Sequence, residues 1–120
     1  MNNKPRYSLF KNTKYALDGF LHALKTESSF KLELIAGIFI MIAIYYINLE
    51  LVYKLILIAT AFLVLIVELL NSAVENVVDL VTKEIHPLAK SAKDIGATAV
   101  MFSIILHLIC WLIIINKYYI

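Results

Sequence analysis

The chain has 120 residues, of which 62% are hydrophobic and only 17% charged, and a single folding unit of this size has too little interior to hide so much apolar surface from water. Lipid is the simplest alternative solvent. A net charge of +2 is too weak a footprint for nucleic acid, and one cysteine, Cys110, excludes an intrachain disulfide and reads as a small apolar packing residue.

The N-terminal stretch shows no cleavable signal peptide, so a membrane segment is expected to act as its own insertion signal. Residues Ser8 to Leu24 have helical periodicity: Leu9, Phe10, Leu17, Phe20, Leu21 and Leu24 can share one side, with Lys11, Lys14, Asp18 and Lys25 elsewhere. Residues 1–31 are therefore read as an amphipathic arm lying in the membrane interface. Three apolar runs follow, at 32–49, 51–70 and 95–115. Backbone groups in lipid must be satisfied internally, so the runs should be transmembrane helices. Asn48-Leu49-Glu50 leaves a very short turn, making the first two spans an antiparallel hairpin. Asp79 to Asp94 is the longer connection, where Pro87 should interrupt or begin a helix.

Lys4, Arg6, Lys11, Lys14, Lys25 and Lys31 precede the first span, and Lys83, Lys90 and Lys93 lie in the second connection. The short turn has no Lys or Arg. The positive-inside rule then puts the N-terminus in the cytoplasm and the C-terminus outside. Tyr45, Tyr46, Tyr53, Trp111, Tyr118 and Tyr119 all fall at the outer interface, where amphipathic aromatics are favoured.

The second span ends in Glu68-Leu69-Leu70-Asn71-Ser72-Ala73-Val74-Glu75-Asn76-Val77-Val78-Asp79. Glu68, Asn71, Glu75 and Asp79 are spaced three, four and four apart, which on a helix makes one polar stripe. A carboxylate at the centre of a span costs roughly 2.5–3.5 kcal/mol, so such acids need partners and mark functional sites by default; the alternative is interhelical hydrogen bonding. Glu27 and Glu33, at the arm's junction with the first span, and Lys93 and Asp94, at the start of the third, lie at the same membrane level. Glu27 and Glu75 could together hold a hard cation such as Mg²⁺, Lys93 could meet phosphate oxygens, and Glu68, the deepest, is the candidate general base. With Gly19, Gly37 and Gly96 the only glycines, there is no glycine-rich phosphate loop. His22, His86 and His107 have no metal-ligand spacing, and His107 reads as a hydrogen-bonded packing residue.

Glu68-x-x-Asn71-Ser72-Ala73-Val74-Glu75-x-x-Val78-Asp79, with His86-Pro87-Leu88-Ala89-Lys90, Ala92-Lys93-Asp94 and Glu27-x-x-Phe30-x-x-Glu33, resembles the signature of the prokaryotic diacylglycerol kinase family. The resemblance spans essentially the whole chain. It implies an all-α membrane protein: a homotrimeric bundle of three-span subunits, each with the amphipathic arm, in the bacterial inner membrane. The activity implied is Mg²⁺-assisted transfer of the ATP γ-phosphoryl group to diacylglycerol, giving phosphatidic acid, in active sites shared between subunits. In that frame Glu68 is the general base, and Glu27 and Glu75 are the metal ligands. Tyr15, Asn71, Asp79, Glu84, Ile85, His86, Lys93 and Asp94 join Glu27 and Glu75 around the nucleotide. Ser29, Phe30, Lys31, Leu32, Glu33, Glu68 and Ala97 contact the lipid. The family's N-terminal arginine has no aligned partner, since Ser8 falls there with Arg6 and Lys11 nearby, and Leu17-Asp18 replaces a tryptophan-lysine pair found in some members.

The nearest rival is an undecaprenol kinase on the same scaffold. That branch commonly resembles Glu-x-x-Phe-x-x-His where this chain has Glu33, so diacylglycerol is the expected lipid, although the His86–Lys90 wording is common in the polyprenol branch. An oligomeric ion channel or a non-catalytic scaffold are the rivals from other classes. A channel accounts for Glu68 and Glu75 but not for Lys93-Asp94 at the same level.

Overall fold

The computed structural model describes residues 6–120 and contains four α-helices in them. Residues 1–5, with Lys4 and the start of the 1–31 arm, lie outside the described residues. Helix α1 spans Leu9–Thr26, α2 Ser28–Tyr46, α3 Leu51–Val81 and α4 Pro87–Tyr119. The last three are long and apolar enough to cross a membrane. Phe39, Phe62 and Phe102 are all more than half exposed along them, as expected of side chains whose solvent is lipid.

Ser8 caps α1 by accepting the Lys11 N–H at 3.4 Å. The helix ends at Glu27, a single extended residue (φ −110°, ψ 99°) that is also the N-cap position of α2. The break therefore falls before the expected boundary between residues 31 and 32, and Ser28 to Leu32 belong to α2. Phe30 is buried and meets Phe20 edge-on at 5.9 Å, fastening this corner.

Helix α2 closes at Tyr46, so Ile47–Leu49 lie outside it. Lys54 donates to the Tyr45 carbonyl at 3.2 Å and the Tyr119 hydroxyl to the Asn48 carbonyl at 3.1 Å. Acceptors left over at the helix end and the turn are satisfied in this way.

The stretch from Asp79 to Asp94 is not a long connection. Helix α3 continues to Val81 and α4 starts at Pro87, leaving Thr82–His86 between them. The polar residues in that stretch follow from helices that leave the apolar layer without stopping. At 1.5 Å per residue a 31-residue helix is about 46 Å long, well beyond a hydrocarbon core of about 30 Å. Pro87 begins α4, and the His86 Nδ1 caps it by accepting the Leu88 N–H at 3.1 Å.

Helix α3 is the spine of the hairpins, packed against α2 and more extensively against α4. Near the α2–α3 turn the core is Ile44, Leu57 and Ile114, with Cys110 and Trp111 packed against it. Beside this core Trp111 Nε1 donates to His107 Nε2 at 2.9 Å, and His107 Nδ1 lies 2.7 Å from Thr60 Oγ1. Since Nε2 accepts, the ring proton sits on Nδ1 and is donated to Thr60, whose hydroxyl in turn reaches the Ile56 carbonyl at 3.0 Å. His107 is thus a hydrogen-bonded packing residue, as its setting in an apolar run implied.

Candidate active site

The polar stripe lies at the other end of the bundle, where α3 passes the α1–α2 corner. Unbroken helix from Leu51 to Val81 keeps Glu68, Asn71, Glu75 and Asp79 on one side. Glu68, Asn71 and Ser72 are buried, whereas Glu75 and Asp79 are half-buried. Glu68 lies close enough to Glu75 and Glu27 to feel both charges, and Glu33 feels Glu68. Glu33 on α2, Glu75 on α3 and Glu27 at the hinge between α1 and α2 thus lie within electrostatic reach of Glu68.

Mutual repulsion makes this arrangement unfavourable unless cations or protons offset it. Glu27 occupies the hinge without using its carboxylate as a helix cap, so its oxygens remain free for a ligand. Asn71 Nδ2 donates to Glu75 Oε1 at 3.3 Å. Asn71 Oδ1 and Glu33 Oε2 are buried with no hydrogen-bond partner among the described residues. Orphaned oxygens of this kind call for an explanation, of which a ligand or ion is one. Carboxylate oxygens fit a hard cation of the Mg²⁺ type. No group of three His, Cys, Asp or Glu side chains among the described residues could by itself hold a metal, so a cation here would take remaining ligands from elsewhere.

Lys93 donates to Asp79 at 2.7 Å, tying the start of α4 to the end of α3. Both residues lie beyond the expected spans. That hydrogen bond holds the Asp79 carboxyl below the ordinary carboxylate range and lifts the Lys93 ammonium above its usual value. Lys90 pairs with Asp94 at 2.6 Å on the exposed face of α4, so the Asp94 carboxylate is engaged by its own helix.

The remaining expected residues are spread more widely. Tyr15 is half-exposed on α1. Ser29, Lys31 and Leu32 face outward in the first turns of α2, while Phe30 is taken up by packing. Glu84, Ile85 and His86 are exposed in the α3–α4 connection, about 20 Å along the helix axis beyond Glu68 at 1.5 Å per residue. Ala97 is exposed on α4.

Two features had no signal in the sequence. A cleft of about 450 Å³ between α1 and α3 brings His22 and Asn76 beside Glu27 and Ser72; neither residue lies on the stripe. An apolar groove of about 600 Å³ between α2 and α3 starts at Leu34, immediately after Glu33, and runs past Ile38, Met41, Phe62 and Leu65 to Tyr45.

The profile described as prokaryotic diacylglycerol kinase matches residues 14–115. The chain is 33% identical over 111 residues to a diacylglycerol kinase of Escherichia coli (strain K12), covering 92% of this chain and 91% of the relative. It is 36% identical over 99 residues to that of Pseudomonas aeruginosa, covering 82% and 80%. For that of Helicobacter pylori (strain J99) the identity is 35% over 103 residues, covering 86% and 80%.

Proposed function

The chain belongs to the prokaryotic diacylglycerol kinase family, and from that premise we propose that it transfers the γ-phosphoryl group of ATP to the free hydroxyl of diacylglycerol, yielding phosphatidic acid and ADP. The observation that carries the reading is the burial of Glu68 on the polar side of α3, within electrostatic reach of Glu27, Glu33 and Glu75. An acid so placed is costly in a membrane helix and needs a task.

Glu68 accepts the proton of the lipid hydroxyl. The hydroxyl oxygen forms its bond to the γ-phosphorus as the bond from that phosphorus to the β–γ bridging oxygen breaks, and ADP leaves. Such transfer depends on positioning and charge neutralisation more than on covalent help from the protein. Glu27 and Glu75 would hold Mg²⁺, which when bound offsets the phosphate charge. Asn71 orients Glu75 through its 3.3 Å hydrogen bond. Lys93, shared with Asp79, supplies a cation at the mouth of the site, with Asp94 nearby on α4. Tyr15, Asp79 and Glu84-Ile85-His86 complete the nucleotide side.

Ser29, Lys31, Leu32, Glu33 and Ala97 form the lipid side, with Phe30 packed beneath them against Phe20 rather than open to the lipid. The apolar groove beginning at Leu34 suits an acyl chain whose head lies beside Glu33. Glu33 also favours diacylglycerol over a polyprenol. Two ester carbonyls and a hydroxyl form a head that polar groups can orient, whereas a polyprenol offers one hydroxyl. The His86-Pro87 wording, which points the other way, is accounted for by capping α4.

The membrane-embedded parts are 32–49, 51–70 and 95–115, the arm end faces the cytoplasm, the C-terminus faces out, and the membrane is the bacterial inner membrane. Three such subunits form a homotrimer, each with α1 lying in the cytoplasmic membrane interface. The test is competition: purified protein, diacylglycerol and undecaprenol at equal mole fraction in one micelle, and labelled ATP. Labelled phosphatidic acid should dominate. An excess of undecaprenyl phosphate would reassign the lipid, and no lipid-dependent product would end the kinase reading.

A further inference from the structure

Gly96 stands on α4, one turn inside the membrane from Lys93, and is half-buried against α3. A methyl group built at this position would collide with the Asn71 Oδ1 and lie 3.2 Å from Asn71 Cγ. Gly19 and Gly37, by contrast, have nothing within 4 Å of the same position. The space a side chain would occupy at residue 96 is therefore filled by the Asn71 carboxamide. That carboxamide is buried, keeps Oδ1 without a partner and uses Nδ2 to hold Glu75 at 3.3 Å. The obstacle to a larger residue is the free end of a side chain rather than backbone. An added methyl would turn Asn71 away instead of separating the helices.

We propose that Gly96 is a positioning residue for the phosphoryl-transfer site: by leaving room on α4 for the Asn71 carboxamide, it fixes the hydrogen bond that aims the Glu75 carboxylate. The inference rests on the reading of Glu75 as a metal ligand. Groups that orient ligands typically change metal affinity or activity by about 10–100-fold when removed. A glycine that served only close helix packing would affect thermal stability and leave metal dependence alone.

The experiment uses the full-length protein in detergent, as Gly96→Ala, Asn71→Ala, Glu75→Gln and the Gly96→Ala/Asn71→Ala double variant. The ¹⁵N–¹H signals of the Asn71 carboxamide, assigned by their loss in Asn71→Ala, should move in Glu75→Gln and also in Gly96→Ala. In turnover, Gly96→Ala should raise the Mg²⁺ concentration for half-maximal rate by about 10-fold or more. The double variant should match Asn71→Ala alone, because the methyl then has nothing to displace. Unmoved carboxamide signals in Gly96→Ala, an unchanged Mg²⁺ requirement, or losses that multiply in the double variant would each overturn the proposal. Should Gly96→Ala fail to fold, the double variant must recover folding, and its failure to do so would also count against the proposal. Loss of the kinase reading itself has a separate signature: no lipid-dependent turnover in the wild type, whatever the carboxamide signals do.

Discussion

Toward the α2–α3 turn, His107 uses both ring nitrogens, receiving from Trp111 at 2.9 Å and giving to Thr60 at 2.7 Å. Toward the arm, Asn71 and Glu33 each keep a buried oxygen without a partner among the described residues, and Glu27, Glu33 and Glu75 lie within electrostatic reach of the buried Glu68. Helix α3 takes part in both arrangements, with α4 at the closed end and with α2 and the α1–α2 hinge at the open one. A closed hydrogen-bond network inside a membrane bundle specifies how helices pack. An open one with excess negative charge is unfavourable by itself and becomes favourable when a ligand completes it. The Tyr118 hydroxyl, also buried, lies beside the Glu50 carboxylate and is not left to a ligand in this way.

Substitutions at the two ends should therefore separate activity from stability. The largest effect is expected at Glu68. Glu68→Gln should lower kcat by about 10²–10⁴-fold, the usual range for loss of a general base, with ATP affinity and melting temperature nearly unchanged. Next come the metal residues. Glu27→Gln and Glu75→Gln should each raise the Mg²⁺ requirement, by about 10–100-fold on the precedent of groups around metal sites. The double variant should be little worse than the worse single one, because groups acting as a unit are non-additive; fully additive losses would argue for separate ions.

At the turn end, His107→Ala should leave kcat near wild type while lowering stability by about 1–3 kcal/mol, because Thr60 and the half-buried Trp111 both lose a partner. A kcat loss as large as that of Glu68→Gln would break the comparison. The smallest effect concerns Asp79 and Lys93, which are partly exposed. Asp79 is held below its ordinary range, so its contribution is present above the unfolded carboxylate value and lost as pH falls through the depressed one. Lys93 is lifted, so its contribution is present below the unfolded ammonium value and lost as pH rises through the raised one. Between about pH 5 and 9 the pair should add no pH dependence to stability, which melting curves across that range would check.

The apolar runs made the three long helices legible, and the three-four-four spacing made the stripe legible, because both are properties of residues near in sequence. Boundaries were harder. Lys83, Glu84, Lys90 and Lys93 made Asp79 to Asp94 read as a connection, yet a helix leaving lipid continues in polar sequence, and only Thr82–His86 is non-helical. The α1–α2 break fell at Glu27 rather than after residue 31, since no glycine or proline announces it. Pairings between distant residues had no local signal at all. Lys93 with Asp79, Thr60 with His107 and Gly96 with Asn71 depend on the register of α3 against α4, which a single sequence does not state.

The most direct measurement sets wild type and Glu68→Gln side by side, both purified, folded and of matched melting temperature. Transfer of label from ATP to lipid is then followed with and without diacylglycerol. The account predicts labelled phosphatidic acid from the wild type only when diacylglycerol is present, and a rate at least about 100-fold lower from Glu68→Gln. Equal rates from the two proteins would contradict the role of Glu68, and no lipid-dependent transfer by the wild type would contradict the account as a whole.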